Sequence, residues 1–159
     1  MRIGIGFDTH RLIAERALIL GGVEFDYPLG LLGHSDADVL THAVCDALLG
    51  ALGEPDLGQQ FPPDKEEFRD ISSLLLLERV VTIMTNKGYQ LNNLDCIVIG
   101  EQPKINPRRG EIIANYCQIL QCQPDQISLK ATTTEGLGFC GRNEGLASWA
   151  AVTIKKKGE

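Results

Sequence analysis

Gly33-His34-Ser35-Asp36-Ala37-Asp38-Val39-Leu40-Thr41-His42 carries two of the chain's three histidines, two aspartates and a serine. It also opens a helix. Ser35 and Asp38 stand in the S-x-x-D relation of a capping box, which predicts a helix from Asp36 to Leu52. Leu40, Ala43, Val44, Ala47, Leu48 and Ala51 share one face at helical spacing. At about 100° per residue, His42 lies far from that face. Asp38 and Asp46 stand one turn before and after it. A histidine flanked by carboxylates resembles a metal ligand with supporting partners. The competing reading is a surface histidine in an acidic neighbourhood.

Upstream, residues 1–10 alternate as a strand. Ile3, Ile5 and Phe7 face one way; Arg2, Gly4, Gly6, Asp8 and His10 face the other. Asp8 and His10, at i and i+2, leave the same side of the strand about 7 Å apart along the chain and can converge on one point. The glycines leave room above the sheet for something to approach. A turn with an exposed histidine would also fit. Ala17 to Leu20 and Val23 to Phe25, around Gly21-Gly22, read as a β-hairpin or a strand and loop leading to His34.

Downstream, residues 53–69 read as a long loop whose Gly, Pro and Asp content forbids regular structure. A second helix is predicted over 70–87 and a third over 107–120, the latter with proline at its start. Leu91 to Gly100, Gln126 to Thr132 and Leu146 to Ile154 read as strands, the first apolar enough for burial on both faces. The expectation is an α/β (α+β) chain, one domain over residues 1–159, with one sheet and three main helices.

Composition narrows the function. A net charge of −6 argues against a general nucleic-acid binder. No apolar run approaches the ~18 residues of a membrane span. The start Met1-Arg2-Ile3-Gly4-Ile5 reads as a strand rather than a targeting peptide. Cys45, Cys96, Cys117, Cys122 and Cys140 are odd in number and lack a C-x-x-C pair, so they read as thiols of a reducing compartment. The expected location is the bacterial cytoplasm, or the plastid stroma if a transit peptide has been removed.

A second chemical stretch runs from Ala131 through Thr132-Thr133-Thr134-Glu135-Gly136 to Gly145. Threonine hydroxyls and backbone amides in a glycine-rich turn donate to phosphates. A carboxylate beside them suits a hard divalent cation such as magnesium or manganese. A tight turn that needs glycine for positive φ is the alternative. Asp8, His10 and His42 form a His₂-carboxylate set of the kind zinc accepts, with a fourth position open. Two metals and phosphate donors suggest phosphoryl transfer, by attack of a substrate group or water.

The motifs Gly6-Phe7-Asp8-Thr9-His10, Gly33-His34-Ser35-Asp36-Ala37-Asp38, His42, Asp56-Leu57-Gly58, Phe61-Pro62, Gln102-Pro103-Lys104, Lys130-Ala131-Thr132-Thr133-Thr134-Glu135 and Gly138 to Gly145 span essentially the whole chain. Together and in this order they resemble the 2-C-methyl-D-erythritol 2,4-cyclodiphosphate synthases of the non-mevalonate isoprenoid pathway. The resemblance implies a homotrimer of ferredoxin-like subunits with active sites between neighbours. It implies zinc on Asp8, His10 and His42, and magnesium or manganese on Glu135. His34 and Thr133 would position the reacting phosphates. Asp56 and Gly58 would hold the erythritol part. The segment Gly100 to Asn106, with Pro103, Lys104 and Ile105, and residues Thr132 and Thr133 would cradle the cytidine and its phosphate. Asp8, His10, Ser35, Leu57, Phe61, Thr134, Glu135, Phe139 and Arg142 would also contact substrate. Pro63 intervenes where many members place an aspartate directly, and Asp64 is expected to serve the substrate. Phe7, Phe139, Arg142 and Glu144 resemble residues lining the trimer axis, where an isoprenoid diphosphate can sit. An inter-subunit salt bridge is the other reading of Arg142 and Glu144. The rival functions are a metal-dependent diphosphate hydrolase and a non-catalytic binding protein for nucleotides or isoprenoid diphosphates.

Overall fold

The computed structural model describes residues 1–62, 64–68 and 70–158, with Glu67 by its backbone only. Strand β1 (Arg2–Ala14) and helix α1 (Val39–Leu52) meet backbone to backbone. Gly4 and Gly6 turn toward the helix. A Cβ on Gly4 would fall 2.0 Å from the Ala47 carbonyl oxygen, and one on Gly6 would fall 2.0 Å from that of Ala43. The helix answers with small side chains, Ala43, Ala47 and Ala51, all buried. The room predicted above the glycines is therefore filled by the chain's own helix. Asp8 and His10 continue the same strand face beyond the contact, and His42 lies beyond it on the helix.

Helix α1 is buried nearly all round. Only His42, Asp46 and Gly50, spaced by four, escape the buried class. It begins three residues later than the capping-box reading placed it. Asp38, not Ser35, is the N-cap: its carboxylate accepts from the Thr41 amide at 3.0 Å and the Thr41 hydroxyl at 2.7 Å. It also accepts from the Gly22 amide at 2.8 Å. A fully buried carboxylate needs such donors, and burial raises the Asp38 carboxyl pKa despite them.

The main sheet adds strands β4 (Leu29–Leu31), β5 (Tyr89–Ile99), β6 (Ile127–Thr132) and β7 (Gly145–Lys156), in the order β4-β1-β7-β5-β6. Only the β5–β6 pair is parallel, so the sheet is mixed. Strands β2 (Leu18–Leu20) and β3 (Val23–Phe25) form the expected hairpin as a separate ribbon. Three long helices follow the expectation in outline. Alongside α1 stand α3 (Ser73–Asn86), capped by Ser72, and α4 (Arg109–Leu120), preceded by a 3₁₀ turn over Asn106–Arg108. Helix α1 lies on β1 and β7, α3 on α1, and α4 on α3.

The segment 53–69 is not wholly irregular. A one-turn helix α2 (Leu57–Gln60) forms because the Asp56 carboxylate caps it, accepting from the Gln59 amide at 2.9 Å. A 3₁₀ turn follows at Glu66–Phe68. Pro63 and Arg69 of the predicted loop lie outside the described residues. A one-turn helix α5 (Gly138–Gly141) occupies the second glycine-rich stretch. The sheet face away from the helices carries an apolar patch, bordered by the Asp95–Lys130 ion pair. Ile3, Ile5, Phe7 and Trp149 are exposed there, and the Phe7 and Trp149 rings meet edge-on at 5.3 Å.

The β1–α1 contact yields an opposed pair of outcomes. Gly6→Ala should destabilise the protein by about 1–3 kcal/mol or more in chemical denaturation, because backbone must move to admit the methyl. Gly50→Ala should stabilise by about 0.5–1 kcal/mol, since a Cβ there meets only the Ile5 carbonyl at 3.7 Å.

Candidate active site

Three ligand atoms converge where β1 passes α1. Asp8 Oδ2 lies 3.0 Å from His10 Nε2 and 2.9 Å from His42 Nδ1, and the two ring nitrogens are 3.1 Å apart. Ligands on a tetrahedral ion at ~2.0 Å stand ~3.3 Å from one another, so this triangle is near the size that a small divalent cation needs. Among the described residues no other group of three His, Cys, Asp or Glu side chains comes close enough to share an ion.

Each imidazole is turned by its other nitrogen. His10 Nδ1 sits 2.7 Å from the Leu32 carbonyl oxygen, which fixes the proton on Nδ1 and leaves Nε2 for a metal. His42 Nε2 faces the hydroxyls of Ser73 at 3.0 Å and Ser35 at 3.2 Å. The Ser73 hydroxyl donates in turn to Asp36, so its oxygen is free to accept from His42 Nε2. The carboxylates predicted to flank His42 do not hold it. Asp38 points into the core as the helix cap, and Asp46 accepts from the Leu57 amide at 2.8 Å. Asp8 does that work instead.

Burial pushes the Asp8 carboxyl up, but hydrogen bonds and charge from His10 and His42 outweigh it and hold the pKa at about 2. Burial likewise pushes the His10 pKa down, and the bond and charge of Asp8 more than reverse it, so the pKa is raised. Burial drives the Cys45 thiol well above its ordinary value and the Cys96 thiol to about 12, so neither serves as a ready nucleophile.

The triad lies on the wall of a cleft of about 280 Å³. Its polar side adds His34, Ser35 and Asp46; its apolar side is Leu57, Phe61, Phe68, Ile71 and Leu76, with Gly58 between. Phe61 and Phe68 meet edge-on at 5.6 Å, with Arg79 5.3 Å from the Phe68 ring centre. A second cleft, of about 140 Å³, is lined by residues 100–106, Thr132 and Thr133, and shares no lining residue with the first. Gly100, Pro103, Lys104 and Asn106 line it together, and Ile105, also on its wall, is part of the buried core.

Other predicted residues lie outside both clefts. Asp56 caps α2 and Asp64 is exposed in a turn. Thr134 and Glu135 stand on a turn in which the Thr133 hydroxyl donates to Glu135 at 3.1 Å. The amides read as phosphate donors are partly taken: Glu101 Oε1 accepts from Thr134 N at 3.1 Å and Gly136 N at 3.2 Å. Phe139 lines a shallow depression with His10 and Glu144. Arg142 pairs with Glu144 of the same chain through two bonds of 2.8 and 3.1 Å.

The sequence profile of the YgbB family matches residues 1–155. The chain belongs to the YgbB family. A relative from Syntrophotalea carbinolica named 2-C-methyl-D-erythritol 2,4-cyclodiphosphate synthase is 52% identical over 156 residues, covering 98% of this chain and 95% of its own. The YgbB fold recurs in IspF of Plasmodium falciparum, solved as a CDP complex, with a TM-score of 0.87 at 34% identity, covering 98% of this chain and 96% of that one. It also matches the bifunctional IspDF of Campylobacter jejuni, with a TM-score of 0.93 at 37% identity; 98% of this chain is covered, which spans 42% of that longer protein.

In this YgbB chain, sequence reasoning missed Ser73, Glu101 and the apolar wall of Phe68, Ile71 and Leu76. None carries a motif, and the wall forms only in the folded chain, where Phe68, Ile71 and Leu76 line one cleft with Leu57 and Phe61. His42→Ala should lower divalent-metal affinity more than about 100-fold while circular dichroism stays unchanged. In the unaltered protein, metal affinity should fall with pH from above the ordinary histidine value of 6.5, since the proton on His10 is held more tightly and must leave. Metal titration of the stripped protein across pH checks both.

Proposed function

We propose that this chain converts 4-diphosphocytidyl-2-C-methyl-D-erythritol 2-phosphate to 2-C-methyl-D-erythritol 2,4-cyclodiphosphate with release of CMP. The observation that carries the reading is the convergence of Asp8, His10 and His42 on the wall of a half-polar, half-apolar cleft. The donor set suits zinc with an open position, and its mutual distances fit. Zinc held there supplies Lewis-acid polarisation of a phosphate oxygen. Glu135 is assigned to magnesium or manganese.

In the reaction the 2-phosphate oxygen bonds to the β-phosphorus, the bond to the α-phosphate oxygen breaks, and CMP departs with that oxygen. The nucleophile is already an anion near neutral pH, so positioning and charge neutralisation matter more than a base. His34 and Thr133 orient the phosphates. Ser35, Asp56, Leu57, Gly58, Phe61 and Asp64 serve the erythritol part, and the apolar side of the first cleft suits its carbon skeleton. The second cleft, residues 100–106 with Thr132 and Thr133, serves the cytidine; that the Plasmodium falciparum relative was solved as a CDP complex supports a cytidine nucleotide as the ligand class.

The two clefts are separate in one chain, which supports a site completed between subunits. We assign a homotrimer of ferredoxin-like subunits, each a single domain over residues 1–159, joined through the uncovered sheet face. The exposed Ile3, Ile5, Phe7 and Trp149 form a patch that water solvates poorly. Asp95 Oδ1, buried beside that patch, has no hydrogen-bond partner within the described chain. An isoprenoid diphosphate on the trimer axis would meet Phe7 and Phe139 and compete with Glu144 for Arg142. The reducing cytoplasm, with plastid stroma for a processed form, suits five free thiols.

Phosphorus NMR on metal-stripped protein, with zinc and magnesium restored separately and together, tests the chemistry. Cyclic diphosphate and CMP should appear only with metal; linear phosphates alone would make the chain a hydrolase, and no turnover would leave a binding protein. Subunit mixing tests the assembly. His42→Ala and Lys104→Ala should each be crippled, and a refolded mixture should regain activity because some sites unite the two intact halves. A mixture no more active than its components would defeat the shared site.

A further inference from the structure

We propose that Arg16 is a positioning residue for His34. The inference rests on the reading above that His34 contacts the reacting phosphates.

Arg16 Nη1 donates to the Gly33 carbonyl oxygen at 2.8 Å, and Nη2 donates to that of Ser35 at 2.7 Å. One planar guanidinium thus grips the backbone on both sides of His34. The carbonyl of His34 itself accepts from the Asp70 amide at 2.8 Å. Three successive carbonyls are thereby fixed on a segment with no helix or strand to hold it. Ser35, at the far side of the grip, faces His42 Nε2 at 3.2 Å.

The chain is shaped to deliver the arginine. Glu15, with φ of 64°, turns the chain out of β1 just before Arg16. Gly30 on β4 lets that turn lie close: a Cβ there would fall 2.4 Å from the carbonyl oxygens of both Arg16 and Ala17. Arg16 is itself half-buried. A rigid five-donor fork spans two carbonyls at fixed spacing, which a lysine ammonium on a flexible stem does not. The clamp touches none of Asp8, His10 or His42 directly, and His42 Nε2 has the Ser73 hydroxyl at 3.0 Å besides that of Ser35, so the clamp's effect should fall on the orientation of His34 rather than on metal binding.

Arg16→Ala should lower kcat about 10–100-fold, the usual scale for a misplacement near 1 Å, with KM changed less than about 3-fold and metal content unchanged. Arg16→Lys should fold as the parent does and recover only part of the loss. The decisive measurement is the double-mutant cycle with His34→Ala. If Arg16 acts through His34, the double variant turns over no more slowly than His34→Ala alone. A double variant slower by the full Arg16 factor overturns the clamp while leaving His34 in its role. Parent-like kcat in Arg16→Ala and Arg16→Lys does the same. His34→Ala at the parent rate overturns the reading of His34, and the clamp with it.

Discussion

A glycine strand lies backbone to backbone on an alanine helix. Everything the first cleft does depends on it. With Gly4 and Gly6 lacking side chains, α1 rides on β1 at a separation set by backbone atoms. Two and four residues past Gly6 on the strand, and one residue before Ala43 on the helix, the same approach delivers Asp8, His10 and His42 to within about one ligand edge of each other. A larger residue at the contact would shift the helix, and the triangle would open with it. The metal geometry is thus a packing result, written in residues that carry no chemistry.

Around that triangle the polar groups settle one another. Asp8 lies between two imidazoles, which hold it ionised against its own burial. His10 and His42 are each oriented from behind, by the Leu32 carbonyl and by the Ser73 hydroxyl. Ser73 is fully buried and leans on Asp36, whose second oxygen accepts from the Ser73 amide at 3.0 Å. The start of α3 therefore supports a ligand on α1. A set prearranged in this way loses little rotamer freedom when an ion arrives.

Much of this was legible in the chain, and the omissions have physical reasons. The period of β1 put Asp8 and His10 on one face, and the helical spacing set His42 apart from the core. What met the glycine face was not legible, because alternation says which residues face together and not what approaches them. The helix start went wrong because Ser35 and Asp38 both suit a cap, and only the amides of Gly22 and Thr41 decide between them. Asp46 was read as a partner of His42 from spacing alone; its hydrogen bond to the Leu57 amide follows from α2, which the glycine and proline of that segment hid. Phe68, Ile71 and Leu76 converge through tertiary folding and leave no local trace.

Glu101 has a thermodynamic consequence. Its carboxylate joins the segment 100–106 to the turn that carries Glu135, through the amides of Thr134 and Gly136. Two loops so fastened fluctuate as one body. Settling either loop would therefore settle part of the other, and the entropy of ordering the pair would be lost once rather than twice.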